Sequence, residues 1–270
     1  MNTHLLLMAL AVSLASLGGA SFMTSFLSRR LRSVKYLTEL LGQEYGFIRL
    51  RYEAKHIISG DGSSHTQMTE AIQAINSEVV GIEHYSQILT ERPNQNVLFS
   101  VNTTQDYLRK NNGRDGKSAD VKVKPTVTLA TPRRLYYQLL YDPPLKPSEK
   151  VEYSYEVLEP PRSFAVSQAE LIARKLPYDF ISMKIAYPTA QFVMSIEFSG
   201  ELRVEDITFD VWLGDGRLRS RNEFSRLQRK NALKVERLGD RQVVRFCVDY
   251  PVLDLKYVVT WRPSQVQRAD

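Results

Sequence analysis

From Phe47 to Trp261 the chain is cut by turn signals into short runs of β-branched and aromatic residues, and this spacing constrains the fold more than any other feature. Phe47–Ile57 alternates over much of its length. Ser59-Gly60-Asp61-Gly62 follows as a hairpin turn, because Gly and Asp tolerate the positive φ that a tight turn needs. Further strands are expected at Val121–Leu129, Leu135–Tyr141, Val151–Leu158, Ile181–Tyr187, Phe192–Phe198, Leu202–Leu213, Ala232–Leu238, Arg241–Val248 and Leu255–Trp261. Pro-bearing turns at Asp142-Pro143-Pro144 and Glu159-Pro160-Pro161 separate some of them, and Gly214-Asp215-Gly216 and Gly239-Asp240 separate others. Thr69–Tyr85 fits a helix through Ala71, Ile72, Ile75, Val79 and Ile82, or equally a continuation of the hairpin. Gln168–Leu176 reads as a short helix, and the polar Arg109–Asp120 as an exposed loop. The β–α alternation of a parallel nucleotide-binding sheet is missing. The expected fold is therefore mainly β: an antiparallel β-sandwich or barrel-like region, forming one large or two small domains. If the β region is two domains, Glu159-Pro160-Pro161-Arg162 is the best candidate boundary between a β-rich first half, 46–160, and a second, 161–270.

The region before the strands has a different character. Leu5–Leu27 contains no Asp, Glu, Lys, Arg or His, and Ser28–Lys35 then carries four cations. A helix over residues 5–27 would rise about 34 Å, enough for a hydrocarbon core of about 30 Å. Flanking cations tend to stay on the cytoplasmic side. The expectation is a membrane anchor over 1–27, single-pass, with the C-terminal domain cytoplasmic. A cleaved signal peptide is the first alternative, with Leu5–Leu17 as its core and Gly18-Gly19-Ala20 as its site. Against it, Met1–His4 lacks Lys and Arg, and the basic run would oppose export. A buried soluble helix is the second, since Ser13, Ser16, Gly18 and Gly19 dilute the apolar character. Residues 28–45 read as a short amphipathic helix, with Leu31, Val34, Leu37, Leu40 and Leu41 at helical spacing. It lies either on the membrane surface or against the domain that follows.

Three stretches carry a resemblance. They are the hairpin with Gly60-Asp61-Gly62, the segment Tyr141–Val151, and Tyr250-Pro251 followed by Tyr257-Val258-Val259-Thr260-Trp261. With them, most of residues 47–262 resembles uncharacterised bacterial β-rich domains that occur near defence or conflict-system effectors. The resemblance implies a sensing or adaptor role and supplies no catalytic residues.

The residues themselves assemble no catalytic motif. Gly62-Ser63-Ser64-His65 lacks the Gly-x-Ser-x-Gly frame of a nucleophile elbow, and phosphate-cradling glycine patterns are missing. If Gly60-Asp61 is a two-residue loop, His56 faces His65, close enough to share a metal, whereas an Asp61-Gly62 loop separates the two; a zinc site would need further ligands, with Glu53 or His84 as candidates. Cys247, the single cysteine, excludes an intramolecular disulfide, and its apolar run reads as a buried strand. No cofactor or metal is expected. Glu205-Asp206, adjacent on a strand, point to opposite faces and make a poor acid–base pair.

Charge is the remaining signal. The net charge of +6 is concentrated in residues 217–237, where Arg217, Arg219, Arg221, Arg226, Arg229, Lys230, Lys234 and Arg237 oppose only Glu223 and Glu236. On a strand, Arg217, Arg219 and Arg221 project from one face and can hold phosphate oxygens. Arg217, Arg219, Arg221, Arg226, Arg229 and Lys230 are the candidate anion-binding residues. The stretch is read as a site for anionic lipid, a nucleotide or a protein partner, or else as a solvated face. The expected function is a membrane-anchored, non-catalytic sensing or binding (adaptor) protein. A membrane-perturbing effector, whose β region binds an anionic ligand such as a nucleotide, is the alternative. An unrecognised hydrolase using His56 or His65 comes third.

Overall fold

The protein is described by a computed structural model covering residues 35–87, 98–100, 121–131, 134–159, 161–199, 202–213, 216–217, 233–238 and 241–264. It is mainly β. A helix over 35–45 (α1) leads into β1 (Phe47–Ile58), β2 (Ser64–Ala74), β3 (Val79–Gln87), β4 (Leu98–Ser100), β5 (Lys122–Thr131), β6 (Arg134–Leu145) and β7 (Lys150–Glu159). A short helix, α2 (Gln168–Ala173), precedes β8 (Asp179–Lys184), β9 (Gln191–Phe198), β10 (Val204–Leu213), β11 (Gly216–Arg217), β12 (Leu233–Leu238), β13 (Arg241–Asp249) and β14 (Leu255–Pro263). The expected strands are therefore present, and Thr69–Tyr85 resolves as the end of β2 and most of β3 rather than a helix.

Among the described residues three sheets form, ordered β12-β13-β9-β1-β2-β7-β4, β11-β10-β14-β8 and β3-β6-β5. The first draws strands from both sides of Glu159-Pro160. Pairing is antiparallel except between β1 and β9, which run parallel from Tyr52↔Phe192 to Ile58↔Phe198 and so depart from the all-antiparallel expectation. A parallel pair needs a long crossover, and the whole of β2 to β8 lies between these two strands.

Period-two alternation builds the core. Along β2, Ser64, Thr66, Met68, Glu70, Ile72 and Ala74 all point inward, and Gln242, Val244, Phe246 and Val248 do so along β13. The four-stranded sheet covers the β9–β13 part of this face, with the Phe209 ring 4.7 Å from Phe246 and Tyr257 5.6 Å from Phe192. The three-stranded sheet covers the β7 part, with Tyr137 5.8 Å from Tyr155 and Tyr141 6.0 Å from Tyr153. Cys247 falls on the outward phase and is exposed, contrary to expectation. Partial burial and the neighbouring Asp249 hold its thiol above the usual range.

Within 28–45, residues 35–45 are helical and the rest lies outside the described residues. Thr38 and Gly42 are buried, Leu37 and Leu41 half-buried, and Asn76 Nδ2 donates to the Gln43 carbonyl at 2.9 Å. The helix is thus packed on the domain, yet Leu40 points away from it. No helix among the described residues is long and apolar enough to cross a membrane. Residues 5–27, the expected anchor, lie outside the described residues.

The β1–β2 connection is a five-residue loop, Ser59–Ser63, not a two-residue turn. Asp61 Oδ1 accepts from Ser63 N at 2.9 Å and from Ser63 Oγ at 2.6 Å, and Gly62 takes φ +76°. The loop is strapped to residues 161–167, since Arg162 N donates to Asp61 O and Phe164 N to Gly62 O at 2.8 and 2.9 Å. A Cβ on Gly62 would stand 2.3 Å from Phe164 O. Gly62→Ala should therefore lose about 1–3 kcal/mol of stability from backbone strain alone. At Gly42 the nearest atom to an added Cβ is Ile48 Cβ at 3.5 Å, an ordinary contact. Gly42→Ala should accordingly gain about 0.5–1 kcal/mol from helix propensity. Urea midpoints of the two variants should move in opposite directions.

Candidate functional site

The densest gathering of ionisable side chains lies between the seven-stranded and three-stranded sheets. Its first member is Glu70, which sits on the inward phase of β2 between Met68 and Ile72 and is 0% exposed. A bulge between Arg49 and Arg51 resets the phase of β1 and turns Arg49 inward beside it, 2% exposed. Arg49 Nε lies 2.9 Å from Glu70 Oε2. The guanidinium carbon stands 4.0 Å from the Tyr52 ring centroid and 5.3 Å from that of Tyr187. Tyr155 donates its hydroxyl to Glu70 Oε1 at 3.0 Å and receives the Tyr137 hydroxyl at 3.2 Å. From β3, His84 brings Nε2 to 3.2 Å from Glu70 Oε1 and stacks on Tyr137.

Electrostatics assigns the protons. Burial works against the charge on Arg49, but Glu70 more than restores it, so Arg49 is held above the usual guanidinium range. Burial pushes His84 down to about 4 against the pull of Glu70, with Arg49 adding to the burial effect. Burial also lifts Tyr52, Tyr137, Tyr141, Tyr153 and Tyr155 well above the ordinary phenol value. The result is one ion pair ringed by neutral hydrogen-bonding groups. Its chemistry is directed inward, because Glu70 already meets Arg49, Tyr155 and His84.

A second polar group lies at the hairpin end of the same face. His56 Nδ1 is 2.8 Å from Thr66 Oγ1, and Ser64 Oγ is 3.4 Å from the same oxygen. Glu159 pairs across from Ser64; burial and the neighbouring Asp179 push it up to about 7. Asp179 accepts the backbone N–H of Ala165 at 2.5 Å and of Phe180 at 2.9 Å, while burial holds its carboxyl above the usual value. Hydroxyl, imidazole and carboxyl are the materials of nucleophilic catalysis. Here, however, Ser64, Thr66, His56 and Asp179 are all buried, and burial alone pushes His56 down to about 4, far below a general base poised for neutral pH.

The His56–His65 pairing that a Gly60-Asp61 loop would give does not form. His56 pairs with Thr66, and His65 with Ile57, so the two rings leave opposite faces of the sheet. His65 Nε2 instead lies 3.3 Å from Glu156 Oε2 on the outer face. No group of three potential metal ligands occurs among the described residues. Glu205 precedes a bulge and Asp206 lies within it, and both are exposed, with Asp206 Oδ2 3.5 Å from Arg262 Nη1.

Of the candidate anion-binding residues, Arg217 is the last residue of β11, opposite Trp212. Arg219, Arg221, Arg226, Arg229 and Lys230 lie outside the described residues. Further along the same basic stretch, Lys234 and Arg237 are exposed on β12. Both β11 and β12 are edge strands, so the stretch begins on the edge of one sheet and ends on the edge of another. Cations at such edges also discourage strand-to-strand association.

No family model matches this chain, and no curated protein matches it. Among solved structures it is similar to a protein from Parabacteroides distasonis proposed to be a protease (TM-score 0.40, 8% identity, 80% of this chain and 40% of that one). It is also similar to a mutant M1 zinc metallopeptidase from Deinococcus radiodurans (TM-score 0.39, 9% identity, 79% and 42%). A two-domain M1 zinc metallopeptidase mutant bound to L-arginine gives TM-score 0.39 and 10% identity, over 79% and 42%. The chain thus spans about two fifths of the length of these structures, and a likeness of this size carries no chemistry across.

Two predictions follow from the buried groups. Glu70→Gln strands a buried cation and should cost about 3–5 kcal/mol, whereas Arg49→Met combined with Glu70→Leu should cost less than either single change. A double-mutant cycle on urea midpoints reads the coupling. The second concerns pH. His56 and His84 are depressed from 6.5 to about 4, so their contribution is present above pH 6.5 and is lost as pH falls towards 4. Glu159 is raised from 4.5 to about 7, so its contribution is present below 4.5 and is lost as pH rises through 7. Asp179 is raised as well, so it and Glu159 together oppose the two imidazoles. Glu159→Gln removes one of the opposing carboxyls and should make the slope of stability against pH more positive between about pH 5 and 6.5. An unchanged slope would contradict the assignment.

Proposed function

We propose that this chain is a membrane-anchored, non-catalytic binding or adaptor protein with a sandwich-like β region on the cytoplasmic side, whose basic stretch takes an anionic ligand. The observation that carries the reading is the division of charge. The ionisable side chains that the fold draws together, Arg49, Glu70 and His84, face one another inside the core. The exposed Lys234 and Arg237 instead stand on an edge strand, continuing a stretch that holds the chain's whole charge excess. Such a surface draws anions and weakens with salt. The uncharged Leu5–Leu27 with its following cations supports the anchor, and its orientation, from the sequence. The resemblance to β-rich domains near defence-system effectors agrees with a sensing role.

The test has two stages on the full chain with a C-terminal tag. Carbonate-washed membranes should retain the chain, and protease outside spheroplasts should leave the tag intact. A shortened, soluble product outside the membrane would sink the anchor. The detergent-purified chain should then bind ATP or vesicles containing phosphatidylglycerol. Combining Arg217→Glu, Lys234→Glu and Arg237→Glu should weaken that binding at least about tenfold, a loss of about 1.4 kcal/mol. Equal binding by the wild-type and charge-reversed chains would overturn the anionic-ligand reading.

A further inference from the structure

Helix α1 has two apolar stripes, and only one of them is used by the domain. Thr38 and Gly42, with Leu37 and Leu41, form the stripe that meets the body of the protein; an added Cβ on Gly42 would touch Ile48 and Ile75. Tyr36 and Leu40 lie one helical turn apart on the opposite side, 65% and 49% exposed. An ordinary surface helix places charged residues there. Lys35 and Glu39 flank this face and lie 3.8 Å apart as an i,i+4 pair, while the exposed Glu44, four residues after Leu40, adds one further carboxylate. The outward face is therefore apolar at two neighbouring positions, with one carboxylate, Glu44, at its C-terminal end.

Chain length identifies what covers this face. The uncharged run ends at Leu27, and the basic Ser28–Lys35 is all that separates it from Tyr36. That linker spans about 14 Å if helical and about 30 Å at full extension. With residues 5–27 in a bilayer, Tyr36 is never farther than this from the headgroups. Tyr is among the side chains favoured at that depth, because its ring is apolar and its hydroxyl is not. From these observations we infer that α1 is a two-sided spacer: its Thr38/Gly42 face is fixed to the β domain, and its Tyr36/Leu40 face lies in the lipid interface, setting the orientation of the domain on the membrane. The inference rests on the anchor reading of residues 5–27.

The experiment uses the full chain reconstituted in phosphatidylcholine–phosphatidylglycerol vesicles, with and without brominated acyl chains. Tyr36→Trp places a reporter on the outward face, and Ile172→Trp places one at an exposed apolar position on α2. Emission from Trp212 and Trp261 is removed by subtracting the wild-type spectrum. The expected result is a blue-shifted emission for Tyr36→Trp that brominated lipid largely quenches, and an Ile172→Trp emission that it leaves intact. An unquenched Tyr36→Trp signal from a chain that survives a carbonate wash overturns the inference while the anchor stands; the face then meets a second copy or another protein. Equal quenching at both positions also overturns it, because contact would not be specific to α1. A chain that washes off the vesicles removes the anchor and the inference together.

Discussion

The Arg49–Glu70 pair is the constraint around which one half of the core is arranged. Two ions taken from water cost several kcal/mol each. Their attraction at 2.9 Å is about 6 kcal/mol at an effective dielectric of 20, too little by itself to offset the cost. What makes the pair tolerable is its surroundings. Tyr52 lies under the guanidinium, Tyr155 donates to the carboxylate, and Tyr137 in turn donates to Tyr155. This explains why aromatic hydroxyls from β6 and β7 crowd a region that a simpler β core would fill with Val and Leu. Each tyrosine covers apolar area with its ring and satisfies a polar atom with its oxygen. The pair therefore dictates what the three-stranded sheet must bring when it closes over β2 and β7.

This arrangement was only partly visible in the chain. Alternation and turn residues located the strands well, because both report local physics: which face is wet, and where φ is positive. Glu70 was also accessible to that logic, since it shares its phase with Met68 and Ile72. Cys247 was too, being out of phase with Phe246 and Val248. Arg49 was not, because a bulge moved it from one face to the other and no residue type announces a bulge there. The hairpin register failed for a similar reason. Asp61 binds Ser63 and lengthens the loop to five residues, which carries His65 to the far side of the sheet. One residue of slip reverses every side chain, so a plausible metal pair became one buried and one solvent-facing histidine. As for the basic site, only Arg217, Lys234 and Arg237 can be placed, all on sheet edges.

The division between interior and edge charge has a mechanical consequence. The interior groups are mutually committed; a ligand could engage Glu70 or Arg49 only by parting two sheets. The edge groups belong to short strands with one neighbour each, so they can meet a partner without disturbing the core. On the proposed reading, binding falls to this rim and leaves the buried pair undisturbed. That reading asks the basic stretch and α1, rather than the buried histidines, to meet partners.

The order in which contacts can form points the same way. Arg49 and Glu70 sit on adjacent strands of one hairpin, so their attraction is available as soon as β1 and β2 meet. The aromatic cover comes later in the chain, from β6 and β7, and the parallel partner β9 later still. Non-local pairings of this kind close slowly, because the loop entropy is lost before the contacts are made. During that interval β1 presents a partly satisfied ion pair and an open edge. An edge carrying charge is a poor template for intermolecular strand pairing. The pair is costly in the finished core, and the polar atoms it leaves to be met fix which sheet can cover the hairpin.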